Sequence, residues 1–407
     1  MQPDGVVDGA GRVLPRSMKW VRCLAIVGPG ILVMAGDNDA GGLLAYLGTG
    51  ARYGAHLFLP LLLAMVAVTL VVQDTALRVG MGLPQPLPVM VRTSIGRGWA
   101  QLLAVQLTVQ NWFTLVSEFA GMAVALMYFG IPLPLAVPAS LLLVLGLLQT
   151  RSYRSVERVG ILLAVLNLAL LPAALWSRHR LGWAVPGGAR SLSPELVFFA
   201  VGMIGNAMAP WMVFFQAQAA RDRGLGPRDL VWARLDLVVG GLFNAAVASA
   251  VLLVGAAAPT HAFAPATFLS TLARRTSPML SALIALALLD AGILACVTVA
   301  LTTAWNAVDT WSGGRPRRPD DPAVRRLYRA ALATAALAVW IPGAPPTLLA
   351  VGAQVVSAVL MPTVLVTLLL LANLPAMGKL GNGLFSNSVG ILATLLFAGA
   401  TVALILG

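Results

Sequence analysis

Two aspartates lie two residues apart in Gly36-Asp37-Asn38-Asp39-Ala40-Gly41-Gly42, between the apolar stretches LAIVGPGILVMA and LLAYLGTGA. An ionised carboxylate at mid-bilayer depth costs at least about 2.5–3.5 kcal/mol. Asp37 and Asp39 must therefore face a cavity, a cation or each other. The glycines weaken the helix there and free backbone carbonyls around Gly36. A second interruption reads LVFFAVGMIGNAMAPWMVFFQAQ, with Gly202, Gly205, Asn206 and Pro210 at its centre. Pro210 cannot donate to a helix and clashes with the preceding turn, so the chain unwinds and the Asn206 carbonyl becomes available. Carboxylates with carbonyls form a hard-oxygen site suited to magnesium, manganese or calcium. Asp at the start of the following half-helix also serves as a cap, which is compatible with cation binding.

The elements that hold these residues are membrane helices. Of the 407 residues, 59% are hydrophobic and 10% charged, and mean hydropathy is +0.87, which places the chain in the polytopic membrane class. The apolar runs number eleven, roughly 23–49, 55–78, 101–128, 132–149, 157–177, 195–219, 235–259, 279–307, 325–342, 345–373 and 386–406. The interruptions fall in runs one and six, the first of two five-span units. Five is odd, so the units are related by inverted topology, and two broken helices point to a midplane binding site. The expected organisation is a cytoplasmic tail over 1–22 and one transmembrane domain over 23–407. That domain divides into repeat one (about 23–177), repeat two (about 195–373) and an extra helix (about 386–406).

The net charge of +12 follows from topology. With the N-terminus inside, only Arg52, Arg178, Arg180, Arg190, Arg274 and Arg275 of the 27 Lys and Arg fall outside. That asymmetry predicts N-in, C-out in a plasma or inner membrane, with the bilayer as partner and nucleic acid excluded. No signal peptide is visible in the polar first twenty residues. Cys23 and Cys296 make no disulfide framework, and His56, His179 and His261 are too scattered for a zinc site. Asp74 is expected to pair with Arg78 one turn on. Asp236 and Asp309 are expected at the cytoplasmic surface, and Gln106, Gln110, Asn111, Asn167 and Asn244 as interhelical hydrogen bonds.

The order of motifs resembles the Nramp-type divalent-metal transporters. Gly28-Pro29-Gly30 precedes Asp39-Ala40-Gly41-Gly42 by the family's eight residues, and GTGARYG follows. Ala209-Pro210-Trp211 stands where the family has Met-Pro-His. Further matches are SEFAGMAVAL around Glu118, LLDAGILACVT around Asp290, AQVVSAVLMP and MGKLGN, so the likeness runs from Gly28 to Asn382. The resemblance implies an all-α LeuT-like fold of eleven helices in which helices one and six are broken. It also implies a metal site of Asp39, the carbonyls of Gly36 and Asn206, Gln354 and the Ala209 position. Asp37, Gly42, Trp211, Glu118 and Asp290 would lie around it or along the pathway.

Two family side chains are missing: the asparagine is Gly42 and the methionine is Ala209. Loss of a thioether and an amide favours a hard, partly hydrated ion over soft metals. The chain thus resembles the Nramp-related branch that carries magnesium, with manganese also accepted. The family histidine is Trp211, and the acidic position before Glu118 is Leu115; neither titrates, so uptake without proton coupling is expected. The transported ion is substrate and no cofactor or catalytic residue is implied; a monomer is expected. A proton-coupled manganese or iron carrier is the alternative, disfavoured by Ala209 and Trp211. A membrane sensor without flux is the third reading, and no enzyme motif appears.

Overall fold

The computed structural model describes residues 5–7, 13–15, 33–34, 36–83, 85–149, 167, 169–177, 193–258, 260, 264–311, 321–340 and 346–406. Gly28–Gly30, Cys23, His179, His261, most of span five and the basic segment before span nine lie outside them. The described residues are almost wholly helical. In chain order the helices are α1 (Ala40–Tyr53), α2 (Phe58–Gly82), α3 (Leu87–Ser94), α4 (Arg97–Tyr128), α5 (Leu133–Gln149), α6 (Leu170–Ser177) and α7 (Pro194–Asn206). They continue with α8 (Pro210–Asp222), α9 (Leu230–Ala257), α10 (Pro265–Arg275), α11 (Pro278–Trp311), α12 (Pro322–Trp340), α13 (Pro346–Ala372) and α14 (Leu384–Leu406). A short antiparallel ladder, Gly5–Val7 with Val13–Pro15, and the helices α3 and α10 are not anticipated by the hydropathy pattern.

Six helices begin at a proline: α7, α8, α10, α11, α12 and α13. The first helical residue needs no intrahelical N–H, and the fixed φ of proline suits it. Much of the proline content thus marks helix starts. Phe58–Gly82, Pro194–Asp222, Pro227–Ala257, Pro278–Trp311, Leu348–Ala372 and Leu384–Leu406 are long and apolar enough to cross a membrane. Exposed leucines, isoleucines and phenylalanines cover the outer faces of α5, α9 and α14, including Leu142, Leu242, Phe385 and Ile405. Such a belt is stable only against lipid or another apolar surface.

The interrupted spans are central, and their halves pack reciprocally. The second half of span one, α1, lies along α9, which is span seven; the second half of span six, α8, lies along α2, which is span two. An inverted repeat that maps span one onto six and two onto seven requires this exchange. Glycines allow the backbones to touch. A Cβ on Gly50 would strike the Leu252 carbonyl, one on Gly255 the Leu47 carbonyl, and one on Gly80 the Ala217 carbonyl. Gly205 of α7 abuts the Gln354 carbonyl of α13 in the same way. Small residues at helix crossings give the van der Waals contact that drives association in lipid.

Gly205→Val is therefore expected to lower stability by about 3 kcal/mol, read as the thermal unfolding midpoint of the purified protein in detergent. Gly352→Val, whose Cβ meets open space on α13, should cost about 1 kcal/mol or less. Equal costs would mean that the α7–α13 approach is not tight.

Candidate functional site

The first interruption is built from its local backbone. The Asp37 N–H still donates to the Val33 carbonyl at 3.1 Å, and the helix then stops until Ala40. Asp39 adopts an extended conformation (φ −70°, ψ 165°) and caps α1, its Oδ1 accepting from the Gly42 N–H. Glu118 of α4 reaches the same helix end: its Oε2 accepts from the Ala40 N–H at 2.8 Å, and its Oε1 from the Ser117 hydroxyl at 3.3 Å. Two buried carboxylates thus share the N-terminus of α1, where unpaired N–H groups and the helix dipole favour negative charge. Gln354 of α13 extends its Nε2 to within 3.4 Å of Asp39 Oδ1.

Asp37 is turned the other way. Its Oδ2 accepts from Asn244 Nδ2 on α9, and Asn38 Nδ2 lies 3.5 Å from the Asn244 carbonyl. The two aspartates, close in sequence, are held by different helices.

The second interruption faces the first. Helix α7 ends at Asn206; the Ala207 carbonyl accepts from the Thr69 hydroxyl of α2 at 2.7 Å. The chain is extended at Ala209 (φ −95°, ψ 144°) and α8 starts at Pro210. Proline brings no N–H, and the Ala209 N–H is directed to the Met212 sulfur at 3.4 Å. The positive end of α8 is thereby partly masked, while α7 presents its negative, carbonyl end. Trp211 is buried, with Cη2 3.2 Å from where a Cβ of Gly36 would stand. The indole closes over the first interruption and meets Phe215 edge-on, with centroids 6.3 Å apart. Asn206 and Asp39 converge on Gly42: a Cβ there would collide with Asn206 Oδ1, lie 2.8 Å from its Nδ2 and 2.9 Å from Asp39 Oδ1.

The structure therefore brings Asp39, Gly36, Asn206, Ala209, Gln354, Gly42, Trp211 and Glu118 into one buried neighbourhood, with Asp37 beside it through Asn244. Asp290 is different: it is buried on α11, neither oxygen has a hydrogen-bond partner, and no bond ties it to this group. Among the described residues no cluster of three or more His, Cys, Asp or Glu could hold a metal. A cation here would depend on one carboxylate plus carboxamides and carbonyls, which is hard-oxygen chemistry. The nearby thioether of Met212 is the exception to an all-oxygen surround.

Sequence reasoning missed Ser117 and Met212, which adjoin recognised residues and carry no signal of their own. It read Asn244 as an interhelical hydrogen bond, which is right, without seeing that the partner is Asp37. Asn111 to Thr303 (2.8 Å) and Thr363 to Gln106 (2.7 Å) are plain interhelical bonds, as expected. Asp236 and Asp309, expected at the surface, are buried instead, at 3% and 5% exposure. Their faces of α9 and α11 turn inward, which position relative to a span end does not reveal.

A model of the Nramp family (natural resistance-associated macrophage protein-like) matches residues 30–407. The chain is 31% identical over 269 residues to a protein of Brucella suis named divalent metal cation transporter MntH, covering 62% of this chain and 58% of the relative. It is 27% identical over 345 residues to the protein of that name from Agrobacterium fabrum, covering 80% and 74%. The crystal structure of an Eremococcus coleocola manganese transporter superposes with TM-score 0.79 at 19% identity, over 98% of this chain and 89% of that one. That of MhsT with L-phenylalanine gives 0.61 at 14% identity, over 93% and 97%.

Proposed function

Since this chain belongs to the Nramp (natural resistance-associated macrophage protein-like) family, we propose that it carries divalent metal cations across a membrane by alternating access. The observation that carries the reading is the meeting of the two broken spans at Asp39 Oδ1, with Gln354 and Asn206 beside it. Asp39 supplies the charge, the Gly36 and Asn206 carbonyls supply neutral oxygens, Gln354 holds Asp39 through its amide nitrogen, and Ala209 leaves its place to water. Trp211 excludes solvent from one side of the first break. The same proposal has the N-terminus cytoplasmic and the C-terminus outside, in a plasma or inner membrane, with a monomer as the working unit; the Lys and Arg asymmetry supports the orientation.

The metal has two readings. Manganese, taken up with protons as in an ordinary Nramp carrier, is supported by the relatives named as divalent metal cation transporters and by the manganese transporter of like fold. The Met212 sulfur beside the Ala209 amide adds a soft donor at the second break. Magnesium without obligatory proton coupling is supported by the lost thioether at Ala209, the lost amide at Gly42, and by Trp211 and Leu115, which cannot titrate. Energetically no proton is needed: a divalent cation entering at 100 mV gains about 4.6 kcal/mol.

Proteoliposomes loaded with a pH dye test both. Manganese uptake with internal acidification supports the first reading; magnesium uptake at constant internal pH supports the second. No flux of either ion removes the transport proposal. Within the second reading, Ala209→Met should raise the manganese-to-magnesium uptake ratio about tenfold. An unchanged ratio would show that position 209 does not face the ion.

A further inference from the structure

Asn206 is the last residue of α7 and is 2% exposed; its Oδ1 and Nδ2 make no hydrogen bond of ordinary geometry, with the Tyr46 hydroxyl of α1 as a polar neighbour. Leaving a buried carboxamide unsatisfied costs about 1–3 kcal/mol. An amide beside a carboxylate would ordinarily donate to it, but Asn206 Nδ2 makes no bond to Asp39 Oδ1. Instead the carboxamide of Asn206, through both Oδ1 and Nδ2, fills the space that a side chain on Gly42 would occupy, with Asp39 Oδ1 at its edge. A carboxamide oxygen held beside a carboxylate oxygen is a hard-oxygen pair that a divalent cation can bind.

We propose that the Asn206 side chain, beyond its backbone carbonyl, is a direct ligand of the transported divalent cation. It binds jointly with Asp39, its carboxamide standing where a side chain on Gly42 would have been. This rests on the transport reading above and deepens it, because it names the residue that replaces the missing amide of the first broken span. The oxygen comes from the second broken span, so ion binding ties α7 to the start of α1 across the two interruptions.

Asn206→Leu keeps the volume and removes the oxygen. In manganese and magnesium flux assays in proteoliposomes, this variant should raise KM about tenfold. Its ion-free thermal midpoint should hold or rise, since two unsatisfied polar atoms are gone. Asn206→Asp should keep KM within about threefold of wild type. Moving the amide to the other helix, as Asn206→Ala with Gly42→Asn, should recover most of the affinity lost in Asn206→Ala alone. A wild-type KM in Asn206→Leu, with Asp39→Ala inactive, overturns the ligand assignment and leaves transport standing. A KM rise accompanied by a proportionate fall in the ion-free midpoint also overturns it, because that pattern marks packing. If the wild type moves neither ion, both readings fall.

Discussion

Asp39→Ala is expected to lower cation uptake about a hundredfold or more, with a much smaller effect on folding. The Asp39 carboxyl group stands where both broken spans, Gln354 and Asn206 meet. Loss of groups that merely orient a metal ligand costs ten- to hundredfold, so loss of a charged ligand should cost at least the upper figure. The same side chain caps α1 through the Gly42 N–H, and losing a cap costs about 1 kcal/mol. The two roles separate in Asp39→Asn, which retains a good capping oxygen and removes the charge. That variant should melt close to wild type and still fail to carry the ion. The measurements are initial uptake rates in proteoliposomes alongside thermal midpoints. If Asp39→Asn transported normally, Asp39 would be a cap and nothing more.

The second large effect lies far from the site. Arg78 of α2 is 4% exposed. Its guanidinium donates to Asp74 Oδ2 at 2.9 Å, the carbonyls of Leu380 and Gly381 at 2.9 and 3.1 Å, and Asn382 Oδ1 at 2.8 Å. The hydroxyls of Thr75 and Ser386 complete the set. Arg78→Leu should destabilise the protein by about 3–5 kcal/mol, the usual result of breaking a buried pair from one side. Arg78→Lys should recover little, because a point charge cannot serve acceptors spread over a planar fork. Arg234 also pairs with Asp74, at 2.6 Å, but is half exposed; Arg234→Leu should cost under about 1 kcal/mol. Thermal unfolding in detergent checks the order. Arg78→Leu melting with the wild type would mean that these bonds do not hold the segment between α13 and α14.

Much of this architecture was legible because membrane physics writes it in composition. Apolar run lengths give the helices, and Pro210 with the glycines gives the breaks. The aspartates of the first break mark where the ion site is to be sought. The pairing of Asp74 with Arg78 follows from spacing alone. What spacing cannot show is the partner that comes from a distant helix. Nothing near Arg78 in sequence predicts that it grips Leu380, Gly381 and Asn382, and the motif MGKLGN had no evident purpose until those carbonyls were seen. Asp37 likewise reads as a twin of Asp39, and only the fold assigns it to Asn244. Gly42 and Asn206 illustrate the harder case, in which an absent side chain is filled from another span. Neither residue alone signals the exchange. Hydropathy is equally silent on azimuth, which is why Asp236 and Asp309 turn inward against expectation.

The placement of Glu118 and Asp39 on the amides of α1 also bears on the half of a transport cycle in which nothing is carried. A carrier that has released its ion must reorient with its negative charge still buried, and an unscreened charge would hold it in whichever state admits water. Here the Ala40 N–H donates to Glu118 and the Gly42 N–H to Asp39, so the chain itself screens both carboxylates. The helix end acts as a resident counterion. On the transport reading, that screening would ease the return of the vacant protein, so that net accumulation and not only one-for-one exchange is open to the fold.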